Sequence, residues 1–426
     1  MVNIFDVAII GGGPAGATAG YVLARAGRKA VILEREKFPR HHIGESLLPR
    51  TLGLYRRLDL MPLLEAEKFV SKYGAFIVSN DGSCQMEFDF FTGNTDPDRV
   101  AWEVEREVFD KLLLDHARNK GAEVREETAV LEARTGEAGP SILRLRDKSG
   151  AESTIEARWV IDASGQGSLL AKQFGLRVPH PSHNKIAVFT RYRGMARREG
   201  RKAGNIDLVL GPGGWFWLIP LRDDVTSVGF VASTPRWKET GLSPSEFLDD
   251  AVRRSPFVAG RLQGAERTTE VWTASNYSYS CTRLSGPGFV LTGDAAEFLD
   301  PIWSTGVMLA MRSAERAALI LADALQKNVP LCASLFARYE ASFRRWTRIH
   351  FRMIDAYYAP GFAEVLLNKK DTFGIPAAVT ALLAGQTDMG FVDRARLQLF
   401  YWLIQANNKW KFLKDPRPLE HAIPHA

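Results

Sequence analysis

The chain has 426 residues, 46% of them hydrophobic, enough to bury a sizeable core in one to three domains. Its 55 Lys and Arg against 49 Asp and Glu leave a net charge of +6. That mild, spread-out excess suits acidic substrates or partners and excludes a nucleic-acid footprint. The three cysteines, Cys84, Cys281 and Cys332, are scattered, so neither a disulfide framework nor a cysteine metal site is expected and a cytoplasmic compartment fits. No apolar run reaches the length of a membrane span, and MVNIFDVAII leads straight into a strand with no signal peptide ahead of it.

In chain order, Asp6 to Ile10 reads as a strand, and Gly11, Gly13, Ala15 and Gly16 lie in a G-x-G-x-x-G turn. A helix from about Pro14 to Ala26 follows, then a strand ending at Glu34. Glycine permits the turn and close approach to a pyrophosphate, the helix N-terminus faces the phosphates, and Glu34 suits a ribose hydroxyl. Next come the loop KFPRHHIGESLLPR, with Arg40 and Ser46, and Lys72 in SKYGAF. Arg106 opens an amphipathic helix, and WVIDASG ends another strand. The runs KIAVFTRYRG, NIDLVLG and TSVGFVAS read as strands. In GGWFWLIPL, alternation places Trp215 and Trp217 on one face, and Pro220 ends the strand or marks an edge. GDAAEFLDPIWSTG carries Asp294, Trp303, Thr305 and Gly306 into a helix, and from residue 330 the pattern is helical and aromatic. His41 and His42 have no third ligand at metal spacing, so no metal is expected.

The glycine turn, Arg106, the Asp162-Ala163-Ser164-Gly165 strand end and Gly293-Asp294 together resemble the flavoprotein monooxygenases and halogenases of para-hydroxybenzoate-hydroxylase-like fold. Trp215-Phe216-Trp217-Leu218-Ile219-Pro220 fits the W-x-W-x-I-P pattern of the flavin-dependent halogenases among them. The resemblance implies an α/β protein in which a Rossmann-type FAD-binding domain (1–75, 100–175 and 270–330) is interleaved with a substrate-facing sheet (76–99 and 176–269). A helical C-terminal region (331–426) completes it. FAD would be held by Gly11, Gly13, Ala15, Gly16, Glu34, Arg40, Ser46, Arg106, Asp294 and Gly306, and halide by the backbone at Thr305 and Gly306. Trp215, Trp217 and Trp303 would line the passage to a catalytic Lys72. A serine or threonine N-cap explains Ser304 and Thr305 equally well, and paired indoles equally suit a core. Tryptophan halogenases carry glutamate where this chain has Trp303. An aromatic there points to phenol or pyrrole acceptors, which shed a ring proton without a placed base.

With no second glycine motif after a strand, a separate flavin reductase would supply FADH2. Hypohalous acid made from O2 and halide would then be delivered through Lys72 to a small electron-rich aromatic, free or tethered to an acidic acyl or peptidyl carrier protein. The basic stretch RYRGMARREGRKAG is a candidate docking segment, or a solvated hairpin. Two other readings remain. One is an NAD(P)H-dependent aromatic hydroxylase. The other is a lipid reductase resembling geranylgeranyl reductases, with the aromatic, basic FRRWTRIHFRMIDAYY lying on a membrane.

Overall fold

Phe5–Ile10 is apolar at nearly every position because strands flank it on both sides and every residue but Asp6 is buried. In the computed structural model, which describes residues 4–93, 98–136, 139–180, 184–275, 278–368, 373–413 and 415, it is the centre of an eight-stranded sheet. The order across this sheet is Glu123–Arg125, Ala30–Leu33, Phe5–Ile10, Glu152–Asp162, Phe289–Leu291 and Ser285–Gly286, parallel except at the last pair. Thr128–Arg134 and Ser141–Asp147 extend it as an antiparallel meander on Glu152–Asp162. Helix Pro14–Arg25 packs against both Arg106–Lys120 and Gly306–Gln326.

Gly11 turns the chain out of the first strand at φ +99°, and a Cβ there would stand 2.4 Å from the Ala163 carbonyl oxygen. Gly16, one turn into the helix, would bring a Cβ to 1.8 Å from the Gly11 oxygen. Both positions admit only glycine.

A second sheet carries the two tryptophans. Its main path runs Glu266–Arg267, Lys185–Arg193, Val225–Ser233, Gly214–Pro220, Ile206–Gly211, Gly74–Ser79 and Gln85–Asp89, and Trp272–Ser275 also pairs with Lys185–Arg193. Gly214–Pro220 is central in this sheet, not at its edge. Pairing with Ile206–Gly211 stops at Leu218, so Pro220 closes the strand where no donor is needed on that side. Phe216 points away from the indoles into a second apolar core with Phe230 and Phe247. Helix Pro244–Arg253 covers that core, started by a capping box between Ser243 and Glu246.

Beyond residue 330 the described chain is helical, with the main helices at Ala337–Tyr358, Ile375–Leu383 and Phe391–Trp410. Ala337–Tyr358 buries Phe343, Trp346, His350, Met353, Ile354 and Tyr357. The aromatic face that the lipid-reductase reading assigned to a membrane therefore packs inside the protein. Among the described residues no helix is long and apolar enough to cross a membrane.

Candidate active site

The strand ends of the parallel sheet open onto a cavity of about 1100 Å³, which continues beneath the second sheet. Gly11, Gly13, Ala15, Glu34, Arg40, Ser46, Arg106, Asp294, Thr305 and Gly306 all line it. Gly16 does not; it packs beneath Gly11 and keeps the turn tight. Glu34 accepts backbone N–H bonds from Gly12 (2.6 Å) and Glu36 (2.9 Å), which fixes its carboxylate at the cavity wall.

Arg106 forms a buried bidentate pair with Asp110 (2.7 and 2.9 Å) and donates to the Ile43 carbonyl at 2.6 Å. That contact ties the loop after His42 to the helix Arg106–Lys120. Burial pushes the Asp294 carboxyl up to about 7, against the nearby Arg106 guanidinium. Burial likewise holds His41 and His42 down to about 4, so both are neutral at physiological pH. His41 stacks on Trp272 with centroids 3.9 Å apart and serves as cavity wall. Among the described residues no group of three or more His, Cys, Asp or Glu is placed to hold a metal.

FAD fits this cavity on its donor set. Beside Gly13, where a Cβ would meet Arg40 Nη2 at 3.4 Å, the buried Arg40 Nη1 lies 3.5 Å from Asp110 Oδ2 but makes no hydrogen bond to any described residue. An unsatisfied cationic donor next to a glycine turn and a helix N-terminus is what a pyrophosphate completes.

The indoles share a face, with centroids 6.0 Å apart, but reach different places. Trp217 lines the cavity and donates to Ser227 Oγ at 3.2 Å. Trp215 lies beyond the cavity lining and donates to Tyr358 Oη (3.0 Å), which in turn donates to Asp300 Oδ2 (2.8 Å). Thr305 is the N-cap of Gly306–Gln326, yet its side chain makes no capping bond. Ser304, at φ +56°, makes the turn into that helix.

Lys72 ends the strand Val70–Lys72 and is 2% exposed. It lines a separate small chamber of about 20 Å³, walled by Leu48, Phe88, Phe90, Trp303 and Leu383 among others. Ser304 lines both chamber and main cavity, so the two spaces are neighbours. Lys72 Nζ donates to Ser46 Oγ (2.7 Å) and the Leu47 carbonyl (3.2 Å) and sits 5.7 Å from the Phe90 ring centroid. Burial lowers its pKa from the usual lysine value, opposed by Glu103. Trp303 packs edge-on to Tyr357, and its indole N–H has no partner in the protein.

The basic stretch does not present a bare positive surface. Arg191 pairs with Glu45 and Glu107, Arg197 with Asp224, Arg198 with Asp207, Arg201 with Asp89 and Lys202 with Glu87. Pairing of most of these cations with carboxylates from other strands and turns weakens the field that the stretch offers an acidic partner. Sequence reading also passed over Glu103 and the Tyr358–Asp300 pair. Glu103 carries a signal only once its strand is known to lie against Lys72.

Comparison with known proteins gives this geometry a family. A family model described as an FAD binding domain matches residues 5–345. The 1H-pyrrole-2-carbonyl-(peptidyl-carrier protein) chlorinase of Pseudomonas fluorescens is 32% identical over 378 residues, 83% of each chain. A flavoprotein/dehydrogenase from Cytophaga hutchinsonii superposes with a TM-score of 0.86 at 30% identity, covering 95% of this chain and all of that one. The myxobacterial chondrochloren halogenase gives 0.79 at 29% identity, covering 94% of this chain and 97% of the other. A flavin cavity next to a buried lysine chamber, in a sequence related to a carrier-protein chlorinase along most of both chains, leaves the hydroxylase reading without support: the chain belongs to the flavin-dependent halogenases and its activity is FAD-dependent halogenation.

Proposed function

We propose that Lys72 is the catalytic residue, and that the acceptor is an electron-rich phenol or pyrrole borne by an acidic acyl or peptidyl carrier protein. The observation behind the first part is the Lys72 ammonium, buried in an apolar chamber that adjoins the flavin cavity at Ser304. The second part is supported by the carrier-protein chlorinase among the relatives and by the aromatic at position 303.

Reduced FAD, delivered by a separate reductase, supplies with O2 the oxidising power that turns halide into hypohalous acid. Gly11, Gly13, Ala15, Glu34, Arg40, Ser46, Arg106 and Asp294 would hold and orient the cofactor, with Gly16 keeping the turn tight beneath Gly11. Free N–H groups at Thr305 and Gly306, the start of a 21-residue helix, attract the halide. Trp217 keeps acceptor and solvent off the flavin side, and Trp215, anchored through Tyr358, backs it. Lys72 donates a hydrogen bond to the hypohalous oxygen and makes the halogen more electrophilic. At about 20 Å³ the chamber takes one molecule of water size and no aromatic ring, so the ring enters by displacing Trp303 or Leu383.

The test is mass spectrometry of products from protein, flavin reductase, FAD, NADH, O2 and bromide, offered free phenols and carrier-bound pyrrolyl and phenolic acyl groups. Bromination of a carrier-bound ring, abolished by Lys72→Ala, is expected. Bromination that survives Lys72→Ala overturns the role of the lysine, and bromination of free phenols alone removes the carrier protein.

A further inference from the structure

Three segments far apart in sequence meet around Lys72. Val70–Lys72 pairs antiparallel with Ala101–Glu103, with Val70 opposite Glu103 and Lys72 opposite Ala101. On the other flank, Ser46 pairs with Glu103, held by the Leu47 N–H to Trp102 O (3.0 Å) and Val104 N–H to Glu45 O (2.7 Å) bonds. Side chains alternate along a pleat, so this register puts Ser46, Glu103 and Lys72 on one face, with Lys72 diagonal to Glu103. Glu103 is 0% exposed, and neither carboxylate oxygen meets a donor at strict hydrogen-bond geometry. A buried, unsatisfied carboxyl on the last residue of the strand Ala101–Glu103 costs free energy that packing does not repay.

We propose that Glu103 is a positioning residue for Lys72: through Ser46 it exchanges a proton with the lysine and so sets the charge state in which the lysine meets hypohalous acid. This rests on the reading of Lys72 as the catalytic residue. The Ser46 hydroxyl accepts from Lys72 Nζ and keeps its own proton to give to Glu103. When an N–H bond of Lys72 breaks, its proton passes to Ser46 Oγ as the Ser46 proton moves to the Glu103 carboxylate. An ammonium–carboxylate pair becomes an amine–carboxylic acid pair with no change in total charge, and the reverse transfer restores the ammonium. Burial pushes the Glu103 carboxyl up to about 7, with Lys72 and Ser46 favouring its ionised form, so the carboxyl is poised to take part near neutral pH. The other charged group acting on Glu103 is Glu45, itself paired with Arg191, which also holds Glu107. Phe90, Trp303 and Leu383 bring no charge to the chamber.

The experiment compares the pH dependence of bromination in wild type, Glu103→Gln and Ser46→Ala, beside infrared titration of the flavin-free proteins. In Glu103→Gln the lysine loses its counter-charge, so the alkaline limb of kcat moves down by about 1–3 pH units while flavin content is kept. Ser46→Ala moves it in the same direction, which covers the case where Glu103→Gln does not fold. In wild type, the carbonyl band of a buried carboxylic acid fades as pH rises through neutrality. The Glu103 share of that band is lost in Glu103→Gln, which leaves the share of Asp294, and it persists to higher pH in Lys72→Met. If Lys72→Ala is inactive but neither the profile nor the band depends on Glu103, the role of Glu103 falls while that of Lys72 stands. If Lys72→Ala stays active, the catalytic reading falls and takes this one with it.

Discussion

Replacing Asp294 by asparagine is expected to stabilise the flavin-free protein and weaken its hold on FAD. Burial raises this carboxyl from the ordinary aspartate value of 3.8 to about 7, with Arg106 offsetting part of the rise. At ~1.4 kcal/mol per pH unit, that corresponds to roughly 4 kcal/mol of strain in the ionised form. Asp294 lines a cavity open to water, so screening leaves about 2 kcal/mol. The sign follows from linkage: a carboxyl whose folded value is raised keeps its full contribution below about pH 4 and loses stability progressively as pH climbs to about 7. Asp294→Asn carries no such loss. Thermal unfolding of apo wild type and variant, from about pH 4 to about pH 8, should show curves that coincide at the acid end. Above neutrality the variant should be more stable by about 2 kcal/mol, which in a protein of this size is a gain of about 2 °C. FAD affinity should fall, because the amide is a poorer acceptor for a ribityl hydroxyl. A variant no more stable than wild type at about pH 8 would refute the argument that the ionised carboxylate is strained.

Four further outcomes are expected. Gly16→Ala forces its Cβ against the Gly11 oxygen at 1.8 Å, so the turn must open; a stability loss of about 1–3 kcal/mol and loss of bound flavin should appear in thermal melts and absorbance. Arg106→Met removes both hydrogen bonds to the buried Asp110 and leaves it only the longer contact with Arg40 (3.5 Å), at a cost of about 3 kcal/mol by denaturant titration. Trp303→Phe enlarges the chamber beyond about 20 Å³ and should raise kcat/KM for bulkier phenols more than for small ones, measured with a paired substrate series. Ser227→Ala frees the Trp217 indole N–H and should cost about 1 kcal/mol of stability in melts, with more uncoupled hydrogen peroxide per bromination.

The dinucleotide half was legible because its constraints are local. Gly11, Gly16 and Glu34 sit within one strand–helix–strand unit, and each is dictated by a backbone clash or a nearby N–H. The alternation that puts Trp215 and Trp217 on one face was legible for the same reason. What could not be read was how far that face extends: two residues of strand advance about 6–7 Å, enough for one indole to meet the cavity and the other Tyr358. Charge counting along RYRGMARREGRKAG could not see the ion pairs, because the carboxylates Asp89, Glu87, Asp207 and Asp224 arrive from other strands and turns. Glu103 escaped notice because its meaning depends on a register among residues 46, 72 and 103, which no single window contains. Of the two expectations for Pro220, the strand end holds and the sheet edge does not, because a proline also suits a central strand at the point where one partner ends.

The walls of the lysine chamber span nearly the whole chain, from Leu48 to Leu383, whereas the glycine turn and its first helix are complete by residue 25. During synthesis the phosphate cradle therefore emerges hundreds of residues before the compartment that confines the oxidant. A polypeptide that stops between residues 310 and 375 carries the flavin-holding groups but lacks the Ile375–Leu383 helix that closes the chamber. A stop codon between residues 310 and 375 is thus a different lesion from a point change in the cavity. It leaves a protein whose reactive product has an open route to the surrounding cell.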